Sequence, residues 1–141
     1  MNILVLHGPN LNLIGAISAQ IDQRITLDKI NTGLRRHVRN SETNLKIMQT
    51  HKIFQAINFI QRNRNWANGM LFAPMAWARY EYSIVDALQI ANIPTIQLLF
   101  SDGFSDINKD NSIFSDVCKS TISGAPDQVY IDGIKALQKL S

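Results

Sequence analysis

Short apolar runs alternate with segments whose apolar side chains recur at intervals of three and four, and this alternation extends along the whole chain. The runs are Asn2 to Leu6, Leu45 to Met48, Gly69 to Phe72, Thr95 to Phe100 and, more weakly, residues 117–122. Such runs, bounded by Gly, Pro or Asn, read as buried strands. Between the first two, Thr26 can cap a helix that places Leu27, Ile30, Leu34 and Val38 on one face. Ile53, Phe54, Ile57 and Ile60 mark a second amphipathic helix. Ile84, Val85, Leu88 and Ala91 mark a third, which ends before Asn92-Ile93-Pro94. Tyr130, Ile134 and Leu137 line a last helix that starts near Pro126. Alternating βαβ units require parallel strands, right-handed crossovers and helices on both faces of the sheet. The expected fold class is α/β: a flavodoxin-like three-layer α/β/α sandwich around a five-stranded parallel sheet.

Length and composition narrow the reading. The 141 residues suit a single domain, residues 1–141, with no repeat, linker or low-complexity tract. Apolar content of 45% and charged content of 18% describe an ordinary globular chain rather than a disordered one. With no run of 18 apolar residues and no basic, apolar leader, neither a membrane span nor a signal peptide is expected. Cys118 is the only cysteine, so no internal disulfide forms and a reducing, cytoplasmic setting is expected. It falls in the weak fifth strand, where a buried inert thiol is the expected state. The net charge of +3 is mild. Arg35, Arg36 and Arg39 on one helix, and Arg62 and Arg64 on another, read as solvated faces without the interleaved aromatics of a nucleic-acid surface. Neither nucleic acid nor membrane is an expected partner.

The loop after the first strand carries the most specific pattern. Ile3 to Leu6 leads into His7-Gly8-Pro9-Asn10-Leu11-Asn12-Leu13-Ile14-Gly15. Asn10 and Asn12 put amide groups at the carboxyl end of a buried strand, where open α/β sheets place their ligands. The same residues also suit a turn that caps its own backbone. The loops Gly8 to Arg24, Ala73 to Tyr82 and Ser101 to Asn111 should line one shared crevice. Neither a dinucleotide-binding nor a P-loop glycine pattern is present, so no nucleotide cofactor is expected. His7, His37 and His51 lack neighbours at metal-ligand spacing, so no metal is expected.

The string Gly-Pro-Asn-Leu-Asn-Leu-Ile-Gly after an Ile-Leu-Val-Leu-His strand resembles the opening of the type II 3-dehydroquinases. The Pro74 to Leu88 segment and the strand entry at Ile93-Pro94 also fall where that family has them. The resemblance implies a flavodoxin-like fold, no cofactor, and a homo-oligomer built from trimers, up to a dodecamer. It further implies a lyase that removes a proton beside a ketone and expels a hydroxyl, which needs a base, an enolate stabiliser and an acid. Ungapped alignment puts Asp22 at the family's base tyrosine and Ile17 at the activating arginine. Ala73 replaces the enolate-binding asparagine, Arg79 a substrate-binding histidine, and Leu99 the histidine that protonates the leaving hydroxyl. Gln97 stands for a glutamate, and Asp110 lies at or near a substrate-gripping arginine. Asn10, Pro74, Asp86, Ser101, Gln128 and Tyr130 match. In the family, a serine at the Ser101 position and nearby backbone N–H groups hold the substrate carboxylate.

The scaffold positions are thus kept and the catalytic ones replaced. The leading expectation is a pseudoenzyme that binds a small carboxylate or phosphate, or that has a structural or regulatory role. Ligand contacts would come from Asn10, Arg79, Asp86, Ser101 and Arg24, with Arg79 offering a forked, permanent cation. A second reading keeps an altered lyase using Asp22, Arg24 and Arg79, although an aspartate of reference pKa about 3.9 is a weaker base than a tyrosine of about 10. A third is partner binding through the basic helix faces. The run Arg79-Tyr80-Glu81-Tyr82 and the acids Asp102, Asp106 and Asp110 read as a ligand rim, against the plainer reading in which Arg79, Glu81 and Asp86 make surface ion pairs, and Trp77 reads as core or as a subunit contact.

Overall fold

The computed structural model describes residues 1–101 and 103–141. Five parallel strands form one sheet in the order β2-β1-β3-β4-β5. They are β1 (Asn2–His7), β2 (Asn44–Gln49), β3 (Gly69–Ala73), β4 (Thr95–Phe100) and β5 (Ser120–Gly124). The helices are α1 (Ile14–Gln20), α2 (Leu27–Val38), α3 (Ile53–Arg62), α4 (Tyr82–Ala91) and α5 (Val129–Leu140). This is the flavodoxin-like α/β arrangement. The chain enters at β1, runs outward to β2, then crosses back to β3. The order reverses between β1 and β3, and the long helices that follow these strands, α2 and α4, pack on opposite faces of the sheet.

Both faces of the sheet are covered, which is why the central strands read as continuous apolar runs. One face packs Ile3, Val5, Leu71, Ile96 and Leu98 against Ile30 and Leu34 of α2 and Ile134 and Leu137 of α5. The other packs Leu4, Leu6, Met70, Phe72 and Leu99 against Ala56 and Ile60 of α3 and Ile84 and Leu88 of α4. The strand period of two assigns each residue to its face. Local signals set the ends of the helices. The Thr26 side chain accepts from the Lys29 N–H at 3.2 Å at the start of α2. Asn92, at φ 54° and with its N–H on the Leu88 carbonyl at 3.0 Å, closes α4 before Pro94.

Four details differ from the sequence reading. The segment after Gly8 is not an open loop: Leu11–Leu13 forms a 3-10 turn and Ile14–Gln20 a helix. Leu11, Ile14 and Ser18, three and four residues apart, are its buried face. Phe54 points outward, 61% exposed, because Ile53, Ala56, Ile57 and Ile60 take the inner face of α3. The last strand begins at Ser120, not at 117: the N–H groups of Val117 and Cys118 both reach the Phe114 carbonyl at 3.1 Å and hold a turn there. Cys118 therefore sits in a bend, half-buried, and burial pushes its thiol up to about 12. Trp77 belongs to the core, 1% exposed.

Candidate functional site

The carboxyl ends of β1 and β3 are locked together. The Gly8 N–H donates to the Ala73 carbonyl at 2.8 Å, and the Gln49 side chain donates to the Gly8 carbonyl at 3.1 Å. A side chain at Gly8 would collide with the backbone of Ala73 and Pro74, so only glycine allows this approach. Two non-glycine residues take left-handed backbone beside this junction, Asn10 at φ 68° and Met75 at φ 54°. Asparagine tolerates that region, whereas for methionine it is uncommon.

His7 ends β1 on the same face as Ile3 and Val5, and it is fully buried. Its Nε2 lies 2.8 Å from Asn31 Oδ1 on α2, and its Nδ1 lies 2.8 Å from the Tyr130 hydroxyl on α5. An amide oxygen accepts only, so Nε2 carries a proton. Burial keeps the ring neutral, which leaves Nδ1 to accept from the Tyr130 hydroxyl. Burial lowers its pKa to about 4, outweighing the opposite effect of Asn31. The Tyr130 phenol, also buried, is pushed well above its ordinary value. The trio ties the end of β1 to α2 and α5, the two helices of one face.

The loops after β1, β3 and β4 do converge at one edge. Ile113 donates to the Ala78 carbonyl at 2.9 Å, and Arg79 forms an ion pair with Asp106. Gly103, at φ 95°, lies against Ile21 of the segment after β1. Asp102, one of the acids noted in the sequence, lies outside the described residues.

The residues singled out from the sequence fall as follows. Asn10 is exposed, with its backbone N–H on His51 Nδ1 at 3.1 Å. Arg79 and Asp106 are both mostly exposed, so their pair is a surface one, although Glu81 accepts from Ser83 at 2.6 Å rather than joining it. Asp86 is exposed on α4, and Asp110 is exposed in the loop after β4. Ser101 is half-buried, and its N–H is already taken by the Gly124 carbonyl at 3.0 Å. Ala73 and Leu99 are buried among apolar side chains, on opposite faces of the sheet. Ile17 packs against the core, and Asp22 is exposed at φ 56°. Arg24 is drawn elsewhere: it lines a cavity of about 200 Å³ between α2 and α5.

Gln97 is fully buried and fully partnered. Its carboxamide donates to Ser115 at 3.1 Å and to Thr121 at 2.9 Å, and it accepts from Ser112. Nothing in that set can exchange a proton with a substrate near neutral pH. Among the described residues no three His, Cys, Asp or Glu side chains gather as a metal site would require, and no helix is long and apolar enough to cross a membrane. The His7 trio escaped the sequence reading, although its signal was there: His7 continues the inward register of Ile3 and Val5.

Residues 1–138 match the family described as dehydroquinase class II. The chain belongs to that family. It is 30% identical over 138 residues to the 3-dehydroquinate dehydratase of Dictyoglomus turgidum, covering 97% of this chain and 95% of that one. It is 29% identical over 139 residues to the 3-dehydroquinate dehydratase of Caldanaerobacter subterraneus subsp. tengcongensis, covering 98% and 94%. Among solved structures, the type II dehydroquinase from Butyrivibrio crossotus superposes with a TM-score of 0.86 at 25% identity, covering 98% of this chain and 97% of that one. For a dehydroquinase-family chain, the edge where the three loops meet is the place to look for chemistry.

Proposed function

We propose that this class II dehydroquinase-family chain is a pseudoenzyme, a binding or structural member of the family that does not dehydrate 3-dehydroquinate at a useful rate. One observation carries the reading. Ala73 and Leu99, at the enolate-binding and acid positions implied by the family resemblance, are alkyl side chains packed into the core. An alkyl group can neither stabilise an oxyanion nor deliver a proton. Losing one acid–base group costs about 10²–10⁴ in rate, and one oxyanion donor about 10²–10³. Ile17 at the arginine position supports the same conclusion, and Asp22 is an exposed carboxylate rather than a desolvated base.

The altered-lyase reading through Asp22, Arg24 and Arg79 is weaker on geometry, since Arg24 stands at the α2/α5 cavity and Arg79 is engaged by Asp106. A small carboxylate at the loop edge would have to compete with Asp106 for Arg79. Self-association into trimers and higher assemblies is part of this proposal, supported by the exposed Tyr80, Tyr82 and Ile90 on and beside α4. So is a cytoplasmic setting, which suits a lone cysteine. The test is the enone absorbance of product with purified protein and 3-dehydroquinate. No turnover above background is expected, whereas rates on the order of 1–10³ s⁻¹ would overturn the reading.

A further inference from the structure

Glycine in the middle of a helix is unfavourable relative to alanine, so an interior helical glycine needs a reason. Gly133 of α5 has one: a Cβ there would press on Leu71. Gly33 of α2 has none of that kind, because a Cβ there would meet nothing within 4 Å. What the missing side chain does is leave open the cavity of about 200 Å³ between α2 and α5, which Gly33 lines. Ile25, Ile30, Leu34 and Tyr130 give that cavity a buried apolar lining. Tyr130 spends its hydroxyl on His7, so it has no free donor for a ligand. Arg24 and Lys29 stand at the same cavity, both exposed, with the Lys29 ammonium 2.9 Å from the Arg24 carbonyl oxygen. Asp127 is the one acid beside them. Among the described residues none of these three charges is held in an ion pair.

We infer that the α2/α5 cavity is a binding site for a small monocarboxylate with an apolar body. The apolar part enters between the helices, and the carboxylate meets Arg24 and Lys29, which outnumber Asp127. A charge-assisted contact of this kind gives direction to a ligand whose body is held by burial alone. The cavity is lined by none of Ala73, Arg79, Leu99 or Ser101, and the inference stands whether or not the chain dehydrates 3-dehydroquinate.

Benzoate is the probe and benzamide its neutral counterpart, each titrated into the intact protein and followed by backbone amide shifts. Saturable benzoate binding on the order of 1 mM is expected, with the largest shifts on α2 and α5. Benzamide should bind about tenfold more weakly. Gly33→Met, which fills the opening, should weaken benzoate at least tenfold. Gly33→Ala, whose methyl meets nothing, should retain it within about threefold and certifies that α2 tolerates a side chain at this position. Absent binding, equal affinity for benzoate and benzamide, unchanged affinity in Gly33→Met, or shifts confined to α3 and α4 would each overturn the site.

Discussion

His7 shows how a residue of catalytic type can be wholly structural. Both ring nitrogens are occupied, at 2.8 Å each, and the ring is kept neutral by burial. Its folded pKa of about 4 lies below the 6.5 of an unconstrained histidine. Between those values the unfolded chain binds the extra proton and the folded one does not, so stability is fully present above pH 6.5 and falls as pH drops through 4. The loss should total about 3 kcal/mol, at 1.36 kcal/mol per unit. Urea unfolding at a series of pH values should show it, and His7→Gln should flatten the dependence across that window. Equal slopes in the two proteins would remove His7 from the account. Arg79 is the opposite case. Its pair with Asp106 is exposed, so Arg79→Ala should change unfolding stability by less than about 1 kcal/mol. Asp106→Asn should release the guanidinium and raise the affinity for a small carboxylate several-fold in a shift titration. No gain would mean that the loop edge offers no anion site.

At the level of elements, what the sequence made legible and what it hid divide along physical lines. Strand and helix periods are local, so the first four strands, the Thr26 cap and the two apolar faces could be read from spacing, while the weak fifth strand starts at Ser120 rather than at 117. Phe54 misled because one apolar residue adjacent to another on a helix lies about 100° away from it, outside the stripe that Ile53, Ala56 and Ile60 define. The helix within Ile14–Gln20 was masked by flanking asparagines and glycine that read as loop. Contacts across long separations left no trace in the spacing: His7 and Tyr130 are 123 residues apart, and Arg79 and Asp106 are 27 apart. Gln97 belongs to this hidden class. It pins β4 to β5 through Thr121 and to the segment before β5 through Ser112 and Ser115. Replacing it with leucine takes the acceptor from the buried Ser112 hydroxyl, whereas Ser115 keeps its bond to the Lys109 carbonyl and Thr121 is only half-buried. Gln97→Leu should cost about 1–3 kcal/mol in chemical denaturation, the penalty for one buried polar group left unsatisfied. A cost below about 1 kcal/mol would show that the network carries no stability.

At the scale of the molecule, the fold is that of the family, and the proposed loss of catalysis rests on the side chains the sheet carries. The parallel sheet and its strand reversal between β1 and β3 carry the fold of the class II dehydroquinase family to which the chain belongs. A shared fold hosts function only through the side chains placed on it. Here the loops still meet at one edge, held by the Arg79–Asp106 pair and the Ile113–Ala78 hydrogen bond, while Ala73, Leu99 and Ile17 contribute packing. That contrast rests on the first chemical step, removal of the proton beside the ketone. Proton NMR of 3-dehydroquinate in D₂O with stoichiometric protein reads that step even if dehydration stalls later. The account predicts no loss of the signals beside the ketone above the protein-free rate, and no enone resonance. Protein-dependent exchange of those hydrogens would show that a working base remains, and would contradict the central claim.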